Sequence, residues 1–178
     1  MADGADENPE FDHLLHWVPD VPTAVAGYRA AGLPAHVNDE LDGFQNGGWR
    51  LDERYVEILT ITDERRLRTS RYAEGIEHLR PAMAAVGGDR GVLTFAVNVS
   101  DAHATANRLR AQGFELAEFA VTLAEHGVSF VEMFVRNAPV WTPFFITYTP
   151  PSRAARRHRP VGVREWTVRP RRTRRGDG

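Results

Sequence analysis

Two residues on separate predicted strands carry side chains suited to binding a metal ion. His13 lies in the apolar run at residues 11–18, and Glu57 lies within Tyr55–Ile61. A carboxylate is costly to bury in a strand unless it is paired, hydrogen-bonded or bound to metal. If the two strands are neighbours, imidazole and carboxylate form half of a divalent-metal site with open positions. On the residues alone we favour the alternative, in which Glu57 pairs with an arginine and His13 is a structural histidine, because two residues do not make a complete site.

Other polar residues on apolar strands are candidates for chemistry. Strand periodicity places His13 and His16 on opposite faces, so they cannot bind the same ion. Glu132 interrupts an apolar strand and, if it faces a cavity, is a ligand or a general base. If it does not, it pairs with Arg136 or faces water. Asn98 is either a substrate hydrogen-bonder or a polar residue at a strand edge.

Aromatic residues are the candidates for contacts with a small organic ligand. Trp17, Tyr55 and Phe145 have the strand parity expected for one concave face. Pockets for small organic ligands are mostly apolar with a few placed polar groups. The alternative is that these rings form the core between sheet and helices.

An internal repeat provides the elements that would position these residues. Residues 18–32 are echoed at residues 99–113, a constant offset of 81. In each copy an apolar strand precedes a short alanine-rich helix, capped by Asp20 or Ser100 and followed by glycine.

The pattern predicts strand, helix and three further strands in each of two halves. The boundaries are an acidic, disordered N-terminus at 1–10, a first module at 11–62, a connector at 63–90, a second module at 91–150 and an arginine-rich tail at 151–178. Within the connector we expect a helix at 72–78 and a break at Pro81. The tail is expected to add one strand at 161–168.

Composition excludes several classes of protein. There are no cysteines, no run of about 20 apolar residues and no secretory signal, so a cytoplasmic location is expected. All 22 basic residues are arginines, and residues 151–178 hold ten of them. Such a tail can contact an anionic surface, but it lacks the aromatic pattern of a single-strand binder. We therefore expect no membrane partner, no nucleic-acid partner and a solvated tail.

Four motifs give the chain a family resemblance. They are Asp12-His13-Leu14-Leu15-His16-Trp17-Val18-Pro19-Asp20, Gly43-Phe44-Gln45-Asn46, Arg54-Tyr55-Val56-Glu57-Ile58-Leu59 and Pro143-Phe144-Phe145-Ile146. Their order and spacing resemble the vicinal oxygen chelate superfamily, and more narrowly its glyoxalase-like domain proteins. The resemblance implies an α+β fold of two βαβββ modules, whose mixed curved sheets form a cavity.

The resemblance also implies roles for individual residues. It makes His13 and Glu57 metal ligands and Gln45 a weak contact to metal or substrate. The second module departs from the pattern. The offset of 81 places Thr94 at the position equivalent to His13, and the last strand has Phe145 or Thr147 where a carboxylate is expected. A complete set of four ligands is therefore missing.

The expected function is a small-molecule enzyme of lyase, isomerase or dioxygenase type. A divalent ion (Zn, Ni, Mn or Fe) would bind vicinal oxygens of the substrate, and Glu132 would move the proton. The alternatives are a metal-free protein that binds a drug or metabolite, and a regulatory subunit without catalysis. A homodimer is the expected assembly.

Overall fold

The computed structural model describes residues 7–50, 52 and 54–151 and has an α+β architecture. The strands are β1 (Glu10–Trp17), β2 (His36–Val37), β3 (Phe44–Arg50), β4 (Tyr55–Ile61), β5 (Gly91–Asn98), β6 (Leu116–Leu123), β7 (Val128–Val135) and β8 (Phe144–Thr149). The helices are α1 (Val21–Ala30), α2 (Glu64–Leu67), α3 (Ala73–Ala85) and α4 (Ala102–Ala111), with a 3-10 turn at Ala124–His126. The predicted strand at 161–168 lies outside the described residues.

All eight strands form one mixed, curved and unclosed sheet. Their order is β2-β3-β4-β1-β5-β8-β7-β6. The first strand of each half pairs in parallel with the last strand of that half, β1 with β4 and β5 with β8. The two halves meet where β1 and β5 run antiparallel. Both halves thus have the predicted strand, helix and three-strand order, and they share one continuous sheet.

The helix after the first strand begins and ends alike in both halves. The carboxylates of Asp20 and Asp101 accept the N–H groups of Thr23 and Ala104, at 2.8 and 2.9 Å. The prediction that Ser100 caps the second helix was therefore wrong, because α4 begins at Ala102 and its cap is Asp101. After each helix the chain turns at a glycine with positive φ, +86° at Gly32 and +87° at Gly113. Such a φ is strained for residues with a Cβ.

The connector departs from the prediction at Pro81. The proline lies inside α3, which continues to Ala85 instead of breaking there. Proline removes one helical hydrogen bond and crowds the preceding turn. The residues on either side, Leu79, Ala82 and Met83, are buried in the main core. Tertiary packing therefore keeps the helix intact on both sides of the exposed proline.

The N-terminal segment and the second strand also differ from the expectation. Glu7 and Glu10 fall in the segment expected to be disordered, but Glu10 begins β1 and Glu7 forms an ion pair with Arg108 of α4 at 2.8 Å. The second strand was expected at 33–37 and covers only His36–Val37.

No helix within the described ranges is long and apolar enough to span a bilayer.

Helices and sheet enclose three groups of buried side chains. One lies beneath α1 and includes Val21, Val25 and Ile58. A second lies beneath α4 and includes Ala106 and Met133. The largest packs α3 against the sheet and draws on both halves, with members Leu15, Phe44, Leu59, Leu67, Ile76, Leu79, Ala82, Met83, Leu93, Ala96, Phe134, Phe144 and Ile146.

Candidate functional site

A cavity of about 370 Å³ lies between the sheet and α3. Its lining includes an imidazole and two carboxyl groups from three strands, which belong to His13 of β1, Glu57 of β4 and Glu132 of β7. Most of the remaining lining is apolar or aromatic, including Leu15, Phe44, Tyr55, Leu59, Tyr72, Ile76, Leu79, Phe119, Phe130, Phe134, Phe144, Ile146 and Tyr148. A few polar groups in an apolar cleft of this size are typical of small-molecule sites.

His13 and Glu57 face each other across the parallel β1–β4 pair. In this register His13 lies beside Tyr55, and Glu57 lies one side-chain repeat further along the same face. The imidazole Nε2 is 3.7 Å from the carboxylate Oε2, which is too long for a direct hydrogen bond. The side-chain amide of Asn46 donates to the other oxygen, Oε1, at 2.8 Å. Glu57 is thus oriented with one oxygen towards His13.

Asp12 supports His13 from the side away from Glu57. Its Oδ1 lies 2.7 Å from the imidazole Nδ1 and also accepts the hydroxyl of Tyr148 at 3.1 Å. Asp12 and His13 are almost fully buried, at 1 % and 3 % exposure. Sequence reasoning missed Asp12 because strict alternation places it on the opposite face from His13.

Glu132 is an acid in an apolar setting. Its cross-strand neighbours are Phe119 on β6 and Ile146 on β8. Burial, with a smaller contribution from the charge of Glu57, raises the pKa of Glu132 to about 8. Glu132 therefore holds its proton at neutral pH and is suited to donate it.

Helix α3 comes close to Glu132 because residue 75 is glycine. A Cβ built on Gly75 would lie 3.2 Å from the Glu132 Oε2 and 2.8 Å from the Phe119 Cζ. Since contacts under 3.0 Å essentially never occur for real Cβ atoms, a larger residue would push the helix or the ring away. Gly75 thus preserves the space that the carboxyl group occupies.

Aromatic rings fix the imidazole of His13 on two further sides. Tyr55 stacks on it with ring centroids 4.6 Å apart, and Phe144 meets it edge-on at 5.7 Å. Burial raises the pKa of the Tyr55 hydroxyl well above its usual range, with help from nearby Tyr148. The phenol therefore stays neutral and can act as a hydrogen-bond donor. Arg50 lies over the outer face of Tyr55, 5.0 Å from the ring centroid.

Two of the predicted polar substrate contacts do not line the cavity. Gln45 points to the opposite face of β3 and donates to the backbone oxygen of Asn38 at 3.4 Å. Its neighbour Asn46 has the parity that faces the cavity. Asn98 donates to Asp12 Oδ2 at 3.4 Å, so it lies behind His13 rather than in the cavity.

Two of the predicted aromatic contacts are also placed elsewhere, whereas Tyr55 does line the cavity. Phe145 packs towards α4 with the group that includes Met133, because β8 presents its even-numbered residues to the cavity. Trp17 lines a separate shallow groove beside α3. The pairing of β1 with β5 shifts between Leu15 and His16, just before Trp17.

The second half has no suitable metal ligand at either position that corresponds to His13 or Glu57 of the first half. Thr94, at the position of His13, donates its hydroxyl to the backbone oxygens of Trp141 and Thr142 at 3.2 and 2.9 Å. In the parallel registers Leu15 pairs with Glu57 and Ala96 pairs with Phe144. Leu15 and Ala96 are 81 residues apart, so Phe144 occupies the position of Glu57. The sequence-based assignment of this position to Phe145 or Thr147 was wrong, because both residues lie on the other face of β8 from Phe144.

The donors at the His13–Glu57 pair fit a divalent metal with open positions. An imidazole nitrogen and a carboxylate oxygen are ligands that Zn²⁺ and related ions accept. Carboxylate support of the second imidazole nitrogen, as Asp12 provides, is characteristic of metal-binding histidines. Within the described part of the chain, no group of three or more acidic or histidine side chains is close enough to hold an ion. A metal here would have two protein ligands, and the substrate or water would supply the others.

The paired βαβββ halves and the cavity between them define the vicinal oxygen chelate fold. The model of the glyoxalase-like domain family matches residues 11–174, and the chain belongs to that family. No curated protein matches the chain.

Solved structures with the same fold have low sequence identity. A hypothetical protein from Staphylococcus aureus is 16% identical with a TM-score of 0.63; the match covers 82% of this chain and 61% of that one. A methylmalonyl-CoA epimerase solved in complex with methylmalonyl-CoA and NH4+ is 17% identical with a TM-score of 0.54, covering 77% and 92%. The same enzyme from Mycobacterium tuberculosis is 19% identical with a TM-score of 0.51, covering 76% and 85%. These likenesses establish the fold.

Proposed function

We propose that this chain is a metal-assisted enzyme acting on a small organic molecule with vicinal oxygens, of lyase, isomerase or dioxygenase type. The observation that carries the proposal is the 3.7 Å approach of His13 Nε2 to Glu57 Oε2 inside a cavity that also contains Glu132. A metal-donor pair and a proton-carrying acid facing one cavity are the minimum for this chemistry.

Each residue has a distinct role in the proposed mechanism. His13 and Glu57 would hold a divalent ion (Zn, Ni, Mn or Fe), which when bound supplies a Lewis acid for the substrate oxygens. Asn46 keeps one oxygen of Glu57 occupied, so the other faces His13. Glu132 holds a proton at neutral pH and can transfer it to the substrate. The apolar walls limit water around these groups, which strengthens their interactions with a bound ligand.

Titration with Zn²⁺ alone tests the proposal. After dialysis against EDTA, the wild-type chain should bind one Zn²⁺ in calorimetry, and His13→Ala or Glu57→Gln should abolish binding. His36→Ala is the matched control, because His36 also lines the cavity but is exposed on the short strand β2. Absence of stoichiometric Zn²⁺, Ni²⁺, Mn²⁺ or Fe²⁺ binding by the wild type would overturn the proposal.

A metal-free binding protein is the second candidate. It is favoured by Thr94 and Phe144, which replace both expected donors of the second half with groups that cannot serve well as ligands. In this case the cavity holds a drug or metabolite through apolar contacts, and Glu132 donates a hydrogen bond to it. The partner in both candidates is a small molecule.

Binding of a fluorescent apolar probe separates the two candidates. We would titrate anilinonaphthalene sulfonate into wild-type and His13→Ala protein in EDTA, with displacement by small organic acids as the readout. Equal affinities for the two proteins, together with no affinity for metal, would favour the binding protein. Saturable metal binding that depends on His13 would exclude it.

A further inference from the structure

We propose that Asp12 is a positioning residue that fixes the tautomer and direction of the His13 ring, and that Tyr148 and Asn98 of the second half hold Asp12 in place. What His13 then binds rests on the proposed function. The tautomer itself is a property of the chain and can be measured without metal or substrate.

A bulge in β1 brings Asp12 to His13. In the antiparallel β1–β5 pairing Phe11 faces Val97 and His13 faces Ala96, so Asp12 is the extra residue of a bulge on β1. Such a bulge re-aims side chains that strict alternation would separate. Asp12 is consequently buried beside His13, whereas the preceding Phe11 is 43 % exposed.

The second half supplies the donors that hold the Asp12 carboxylate. The Tyr148 hydroxyl on β8 donates to Oδ1 at 3.1 Å, and the Asn98 amide on β5 donates to Oδ2 at 3.4 Å. A buried carboxylate that accepts several hydrogen bonds is stabilised in its ionised form. The second half, which has Thr94 and Phe144 at the positions of His13 and Glu57, therefore supports the histidine of the first half.

The hydrogen bonds determine the tautomer of His13. An ionised carboxylate can only accept hydrogen bonds, so the Nδ1 atom, 2.7 Å from Asp12 Oδ1, carries the hydrogen. In the neutral ring Nε2 then has a free lone pair, which points towards Glu57 Oε2. This nitrogen is the one available to a metal or to a proton from the substrate.

Long-range ¹H–¹⁵N NMR of the imidazole rings tests the assignment directly. At a pH where the rings are neutral, we expect wild-type His13 to be the Nδ1–H tautomer, with its signals assigned from a His13→Gln variant. Asp12→Asn should introduce the Nε2–H form, because a carboxamide can donate to Nδ1 and a carboxylate cannot. A wild-type Nε2–H tautomer, or an unchanged tautomer in Asp12→Asn, would overturn the proposal.

A pair of tyrosine variants keeps the test decisive if Asp12→Asn does not fold. Tyr148→Phe removes a hydroxyl from Asp12, and we expect it to shift the His13 ring signals. Tyr28→Phe is its matched control, because the Tyr28 hydroxyl is 2.7 Å from Nδ1 of His16 on the opposite face of the same strand. It should shift only His16. Equal effects of both variants on His13 would contradict a specific link through Asp12.

Zn²⁺ affinity provides the second readout. If the chain binds Zn²⁺, Asp12→Asn should weaken binding by about 10- to 100-fold, as is usual for supports of metal-binding histidines, and Tyr28→Phe should leave it unchanged. Unchanged Zn²⁺ affinity in Asp12→Asn would overturn the positioning role. If the wild type binds no metal, the proposed metal function fails, and the tautomer measurement still decides the role of Asp12.

Discussion

At the scale of single residues, the site combines groups whose environments differ sharply. Glu57 is held by Asn46 and is open to the cavity beside His13, whereas Glu132 lies between Phe119 and Ile146. The two carboxyl groups can therefore take different roles.

The raised pKa of Glu132 makes stability depend on pH. In the unfolded chain this carboxyl titrates near 4.5 and in the folded chain near 8, so the folded state binds more protons between these values. Its contribution is fully present below about pH 4.5 and is lost as the pH rises through 8. In EDTA, Glu132→Gln should match wild type in unfolding free energy at pH 4.5 and be more stable by about 4 kcal/mol at pH 8.

Denaturant titrations of both proteins across this pH range provide the measurement. The difference between the two curves should widen steadily with pH. Parallel curves would show that Glu132 is already ionised in the folded protein, and would contradict the proposed role of Glu132 as a proton donor at neutral pH.

At the scale of the elements, sequence patterns predicted the strands better than the faces they present. The span of β4 matches the expectation to the residue, because a β-branched run bounded by charges defines strand ends clearly. The bulge at Asp12 and the parity of β8 did not follow from the sequence. Both depend on which residues pair across strands, and a shift of one residue exchanges the two faces.

The candidate site was predicted in part for the same reason. His13, Glu57 and Tyr55 face the cavity as expected, and Glu132 faces it too, although the sequence left its direction open. Asp12 was missed because bulges leave no local sequence signal. The roles of the candidate site residues in binding and catalysis remain predictions, which the metal titrations and NMR measurements test.

The close approach of α3 to the sheet can be tested by replacing two helical glycines. Alanine favours a helix over glycine by up to about 1 kcal/mol, but at Gly75 it would collide with Phe119. Overpacking costs about 1 to 3 kcal/mol, so Gly75→Ala should lower the unfolding free energy by roughly 1 to 2 kcal/mol. Gly27→Ala, with no atom within 4 Å of the added Cβ, should raise it. Urea unfolding measures both, and stabilisation by both would contradict the packing.

The matched helix caps give a second test at this scale. Asp20→Ala and Asp101→Ala each remove a side-chain acceptor from the first turn of a helix, and each should cost about 1 kcal/mol in unfolding free energy. Asp89→Ala, at an exposed position between α3 and β5, should change it by less than about 0.5 kcal/mol. Thermal denaturation followed by circular dichroism would show the difference. A negligible effect of Asp101→Ala would place the cap elsewhere.

At the scale of the whole molecule, the two halves are joined by their backbones and by their core. The β1–β5 pairing makes one sheet of eight strands, and the largest buried group combines side chains from both halves with α3. The two halves therefore resemble each other in the order of their elements, whereas they contribute different residues to the candidate site. The first half supplies His13 and Glu57, and the second supplies Glu132 and the support for Asp12.

This shared core predicts that the halves unfold together. Leu15 of the first half and Leu93 of the second are 4 % and 2 % exposed in the same buried group. Leu15→Ala and Leu93→Ala should each lower the unfolding free energy by about 2 to 5 kcal/mol, and each should preserve a single transition. Hydrogen exchange at the β4 and β7 amides is the sharpest measurement, since either substitution should speed exchange equally in both strands. Faster exchange in β4 alone for Leu15→Ala, and in β7 alone for Leu93→Ala, would show that the halves are independent units and that the cavity between them opens without global unfolding.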